Sequence, residues 1–114
     1  VLATFPDMAT KNLIPIDDAT FEREVLRSPL PFLLELGGAW CAPCKALHPI
    51  VERVADETVG RARVGTMDID DSPEVARRLG VRGAPTLVVF KDGREVARQL
   101  GTTTRERLLA MLEA

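Results

Sequence analysis

A third cysteine is missing from this chain, and so is any long apolar run. Two cysteines in 114 residues cannot build the disulfide-dense framework of a small secreted domain. The pair is therefore kept for switchable chemistry or for part of a metal site. No apolar stretch approaches the roughly 18 residues a membrane helix needs. No leader pattern of basic start, apolar stretch and small-residue cleavage site is visible. Charge of one sign is not in excess either. Fifteen Lys and Arg against 17 Asp and Glu leave a formal net charge of −2, which argues against nucleic acid or other polyanions as partners. Repeats, low-complexity tracts and linkers are absent, so the chain is read as one domain with one modest core. Its cysteine usage fits a reducing cytosol, with the periplasm as the alternative. The chain starts at Val1 rather than Met. Either an upstream segment was removed, or Val1–Asp7 precede a natural start at Met8.

Residues 1–12 are expected to form a loose arm, and 13–114 the domain. Leu13–Ile16 is a short strand candidate. Asp17 or Asp18 offers a cap for a helix carrying Phe21, Val25 and Leu26 at helical spacing, which Ser28-Pro29 stops. Phe32-Leu33-Leu34-Glu35-Leu36 reads as a strand covered on both faces. A long helix follows from Cys41 to about Val59, with Leu47, Ile50, Val51 and Val54 as its buried stripe. Pro43 falls harmlessly in its first turn, whereas Pro49 should kink it. Arg63–Ile69 is the next strand. Ser72-Pro73-Glu74 starts a helix that stops at Gly80. Thr86–Phe90 and Glu95–Leu100 are strands joined by Asp92-Gly93, a tight-hairpin signal. Thr103-x-x-Glu106 is a capping box for the last helix. This order predicts an α/β fold, a mixed sheet of about four or five strands flanked by about four helices on both faces, with a C-terminal antiparallel hairpin.

The chemistry concentrates in Trp40-Cys41-Ala42-Pro43-Cys44-Lys45. Cys41 lies at a helix start, where free backbone N–H groups and the helix dipole favour a thiolate. Cys44 is one turn on, on the same side, close enough to close a disulfide. Cys41 can attack a substrate disulfide and Cys44 can then displace the reduced substrate. The rival is a zinc site. Cys41, Cys44 and His48 share one helix face, but zinc wants four ligands and no second Cys/His pair exists. His48 is otherwise a partly packed or solvent-facing helix residue. Lys45 adds positive charge near the thiolate or simply solubility. Arg82 and Asp70 read as surface charges.

At these residues the chain resembles the thioredoxin family. Trp40 to Lys45 match its Trp-Cys-Gly-Pro-Cys-Lys signature except at Ala42. Pro49 matches the proline of the active-site helix. Val81-Arg82-Gly83-Ala84-Pro85-Thr86 match its cis-proline loop, and Lys91-Asp92-Gly93 and Gly101 its hairpin and following glycine. The match runs from about Ile14 to the C-terminus. The resemblance implies a thioredoxin fold and a protein-disulfide reductase with Cys41 as nucleophile and Cys44 as resolving thiol. It implies that Pro85 is cis, against an ordinary trans turn from sequence alone. The Ala84 backbone would then pair with an extended substrate segment. Trp40, Ala42, Gly83, Ala84, Pro85, Gly101 and Thr102 would form a mostly apolar docking surface, with Trp40 at its rim rather than in the core. No bound cofactor is implied beyond the Cys41–Cys44 pair itself. Electrons would come from NADPH through a flavin reductase of the thioredoxin-reductase type. The expected partners are that enzyme and protein disulfides, with no nucleic acid or membrane, acting on a cytoplasmic monomer.

Glu35 stands inside an apolar run. If buried, its carboxyl is pushed above the usual range; otherwise it turns to solvent at the strand end. The family has an Asp there that assists proton transfer at the second cysteine, so the resemblance implies that Glu35 serves Cys44, through water. Four departures from the family pattern stand out. Ala42 replaces a glycine and should shift the redox potential. Gly37-Gly38 replaces an aromatic-Ala pair, which should loosen the loop. Glu35 is one methylene longer than Asp. Thr66 stands where many members place a lysine, which should leave the buried acid's pKa higher still.

Overall fold

The computed structural model describes residues 10–114. The expected arm therefore falls mostly outside the described residues. Its last part is tied down: the Thr10 hydroxyl and Asn12 Nδ2 both donate to the Asp56 carboxylate, the latter at 2.8 Å.

Five strands form one mixed sheet: β1 (Leu13–Pro15), β2 (Phe32–Gly37), β3 (Arg63–Asp68), β4 (Thr86–Lys91) and β5 (Arg94–Leu100). Their spatial order is β1-β3-β2-β4-β5. β3 runs parallel to both β1 and β2; β4 runs antiparallel to β2 and β5. Among the described residues the helices are α1 (Ala42–Glu57), α2 (Pro73–Arg78) and α3 (Arg105–Leu112). A π-helical segment, Glu22–Leu26, stands where an ordinary helix was expected. Its wide turn is carried by the Arg27 N–H bonding the Glu22 carbonyl at 3.0 Å.

Every residue of β2 is buried, as its apolar run predicts for a strand covered on both sides. The two-residue period of a strand sorts its side chains to opposite faces. Leu33 joins Val64, Leu87 and Val89 under α1 and α3. Phe32, Leu34 and Leu36 join Met67, Val88 and Phe90 under Phe21, Val25 and Val75. Glu35 shares the face of Leu33, toward α1. Gly65 is packed tightly: a Cβ there would lie 2.8 Å from both the Ile14 carbonyl oxygen and Phe32 Cζ. Asp92 and Gly93 both have positive φ, 52° and 78°, which is what a two-residue hairpin turn between β4 and β5 demands.

Two caps differ from expectation. Ser72 holds the N-cap position of α2, yet its hydroxyl makes no capping bond. Asp18 does this from a distant part of the chain, accepting from the N–H groups of Glu74 at 3.1 Å and Val75 at 2.9 Å. A carboxylate accepts both bonds and faces the positive end of the helix, so it outcompetes a single hydroxyl. Asp17 stays local, exchanging bonds with Thr20. Thr104, not Thr103, caps α3, accepting from the Arg107 N–H at 3.1 Å.

Candidate functional site

β2 delivers the site and α1 carries it. Cys41 is the N-cap of α1, with extended backbone at φ −96° and ψ 106°. Its Sγ accepts the Cys44 backbone N–H at 3.1 Å, the place a serine or aspartate oxygen takes in an ordinary cap. A sulfur so placed is aimed at free N–H groups and the positive end of the helix. Cys41 and Cys44 are bonded to each other, with Cα atoms 5.2 Å apart. The helix runs on through Pro49.

Cys44, Leu47, His48 and Val51 follow the spacing of one helix face. Leu47 and Val51 are in the core, so Cys44 and His48 are turned toward the sheet. A cavity of about 670 Å³ lies there, lined by Cys44, Lys45, His48, Glu35, Thr66 and the Gly37–Ala39 segment among others. Glu35 is 2% exposed; it has not turned to solvent. Its Oε1 lies 3.1 Å from His48 Nδ1. Burial pushes the Glu35 carboxyl above the ordinary carboxylate range, while the charge and hydrogen bond of His48 and the Thr66 hydroxyl pull it part of the way back. His48 is thus not an idle surface residue: its ring meets the buried Glu35 carboxyl. Among the described residues no three His, Cys, Asp or Glu side chains are gathered to hold a metal ion.

The start of β4 lies at the same end of the sheet as the dithiol. Leu36 pairs with Thr86, so the residue before Thr86 lies at the edge of the sheet from which β2 leads to Cys41. That residue is Pro85, and the Ala84–Pro85 bond is cis. The Pro85 carbonyl accepts from the Gly101 N–H at 2.8 Å, and the Gly83 carbonyl from the Thr86 hydroxyl at 2.6 Å. These bonds gather Gly83, Ala84, Pro85 and Gly101, with Thr102 exposed beside them. Leu100 belongs to this group and was not singled out from the sequence. It is 63% exposed, with its Cδ1 3.3 Å from where a Gly83 Cβ would stand. Its exposure, not its type, is the signal, and exposure is invisible in sequence. Trp40 is 61% exposed, at the rim, and its indole N–H donates to Asp70; Asp70 is an anchor rather than an idle surface charge. Ala42 is exposed as well.

Gly37 and Gly38 do not form a loose loop. Gly37 is the buried last residue of β2, and its carbonyl accepts from the Ile69 N–H. A Cβ on Gly37 would come within 2.8 Å of Cys44 Sγ, and one on Gly38 within 2.6 Å of Trp40 Nε1. The two glycines are small because sulfur and indole occupy the space.

A helix-capping dithiol beside a cis-proline and a buried acid is matched by comparison with known proteins. The family model described as Thioredoxin matches residues 12–114. The chain belongs to the thioredoxin family. The thioredoxin of Pseudomonas aeruginosa is 35% identical over 105 residues, covering 92% of this chain and 97% of that protein. The thioredoxin of Acidithiobacillus ferridurans is 37% identical over 102 residues, 90% and 94% of the two chains. Thioredoxin 1 of Nostoc sp. is 36% identical over 98 residues, 86% and 92%. As a member of this family the chain is a thiol-disulfide oxidoreductase acting on protein disulfides. Its redox group is its own Cys41–Cys44 pair. As in the family generally, its partners are protein disulfides and a reductase. Among the described residues no helix is long and apolar enough to cross a membrane.

Proposed function

We propose that Cys41 is the attacking thiol and Cys44 the resolving one. The observation that carries this is the Cys44 N–H aimed at Cys41 Sγ: the same donor and the helix N-terminus stabilise the sulfur as an anion once the pair is reduced. The Cys41 thiolate attacks a client disulfide, forming a mixed disulfide and releasing one client thiolate. Glu35 takes the proton of Cys44 across the shared cavity, directly or through water. The Cys44 thiolate then attacks Cys41 Sγ, closing the intramolecular disulfide as the second client sulfur leaves.

Ala84, held by cis Pro85, offers its backbone to an extended client segment. Trp40, Ala42, Gly83, Leu100, Gly101 and Thr102 give that segment an apolar bed. Recognition of backbone above side chain suits varied clients. Electrons return from NADPH through a flavin reductase of the thioredoxin-reductase type. Residues 13–114 work as one unit, a monomer of the cytoplasm, with no nucleic acid or membrane partner. The near balance of charge and the sparing use of cysteine support this setting.

Trapping tests the assignment of the two sulfurs. The Cys44→Ser variant, mixed with a peptide disulfide, should accumulate a covalent adduct at Cys41 detectable by intact mass, whereas Cys41→Ser should form far less. Equal trapping by both variants, or none by Cys44→Ser, would overturn it.

A further inference from the structure

Glu35 is almost fully covered, 2% exposed, and a proton it accepts needs a path onward to bulk solvent. Its carboxyl meets the Thr66 hydroxyl and the His48 ring, and of these the ring is the group that can carry a proton outward. His48 Nδ1 lies 3.1 Å from Glu35 Oε1, and the His48 side chain is 40% exposed against 3% for Glu35. The other ring nitrogen, Nε2, lies 3.8 Å from Glu52 Oε2, one turn further along α1. An imidazole can take a proton on one nitrogen and release one from the other. We propose that His48 is a positioning residue that passes protons between Glu35 and solvent. This rests on the reading of Glu35 as proton acceptor for Cys44.

The surroundings suit a transiently charged ring. Glu52 faces it from α1 and Glu35 from β2, with the neutral Thr66 hydroxyl on β3; Asp17, Asp68 and Asp71 line the same cavity, with Lys45 as the cation there. The step balances without any further reactant. The Cys44 thiol gives its proton to Glu35, and its electron pair forms the bond to Cys41 as the client thiolate departs. Protonated Glu35 hands the proton to Nδ1 and Nε2 releases one to water or Glu52; the half-exposed ring then turns away from Glu35, exchanges its Nδ1 proton for one on Nε2 through solvent, and swings back in its starting tautomer.

Single-turnover reduction of a peptide disulfide, followed across pH 5–9, tests this with the full chain and three variants: Glu35→Gln, His48→Gln and the double variant. We expect His48→Gln to slow the resolving step about tenfold at neutral pH, less than the roughly 10²–10⁴-fold of a direct general acid or base because the ring acts at one remove. Free imidazole should restore most of that loss, and the double variant should be no slower than Glu35→Gln alone. A wild-type rate and pH profile for His48→Gln beside a slow Glu35→Gln overturns the relay and leaves the base intact. A slow His48→Gln with an unchanged profile shape and no response to imidazole marks a merely structural role and also overturns it. A fast Glu35→Gln removes the base reading and the relay with it.

Discussion

Replacing Glu35 by leucine should stabilise the oxidised protein while impairing it as a reductase. The wild-type side chain is 2% exposed, on the same sheet face as Leu33 and Leu87 of the core. Burial raises its pKa above the ordinary carboxylate range. An acid with a raised folded-state pKa binds more protons folded than unfolded between its two pKa values. Its favourable contribution is therefore complete below the unfolded value, near pH 4, and is lost as pH rises through the folded one. Once the carboxyl ionises, the protein holds a charge with little water around it, offset by the half-exposed His48 ring and the Thr66 hydroxyl. Exchanging buried ionic groups for packed apolar ones gains about 1–4 kcal/mol in favourable cases, and losing the bond to His48 returns about 1 kcal/mol. The net gain where the carboxyl is ionised is then about 0–3 kcal/mol, or up to about 12 °C in Tm for a domain of this length. Thermal melts followed by circular dichroism at pH 4 and pH 8 measure it. The gap should shrink toward zero at pH 4. A variant less stable than wild type at pH 8, or an equal gap at both pH values, would refute the reasoning.

Two further expectations concern the frame around the site. Asp18→Ala removes both acceptors from the first turn of α2 and should cost about 1–2 kcal/mol in urea unfolding; an unchanged midpoint would show that the Ser72 hydroxyl or water takes over the cap. Gly65→Ala places a methyl 2.8 Å from the Ile14 carbonyl oxygen and from Phe32 Cζ. It should cost about 1–3 kcal/mol by overpacking, and an unchanged unfolding midpoint would show that the β1–β3 contact yields easily.

What could be read from sequence was whatever local chemistry dictates. The apolar β2 run, the Asp92-Gly93 turn, the dithiol at a helix start and the last strand pair all follow from neighbours in the chain. The mixed sheet follows from the alternation of elements, whereas the strand order β1-β3-β2-β4-β5 comes only from the structure. What escaped depends on residues far apart in sequence. Asp18 and Glu74 are separated by 56 positions, Trp40 and Asp70 by 30, and no local pattern announces either bond. Gly37-Gly38 suggested slack, because glycine alone signals freedom; only the packing reveals that Cys44 Sγ and the Trp40 ring fill the space. His48 was visible as a helix-face residue, but its partner on β2 was not.

The placement of Trp40 has an optical corollary. The chain contains one tryptophan and no tyrosine, so its near-ultraviolet emission arises from a single indole, next in sequence to Cys41 and tethered to Asp70. Disulfides quench nearby excited rings, so light from the unlabelled molecule should brighten on reduction. Electron flow through the pair can then be followed in real time without attaching any dye.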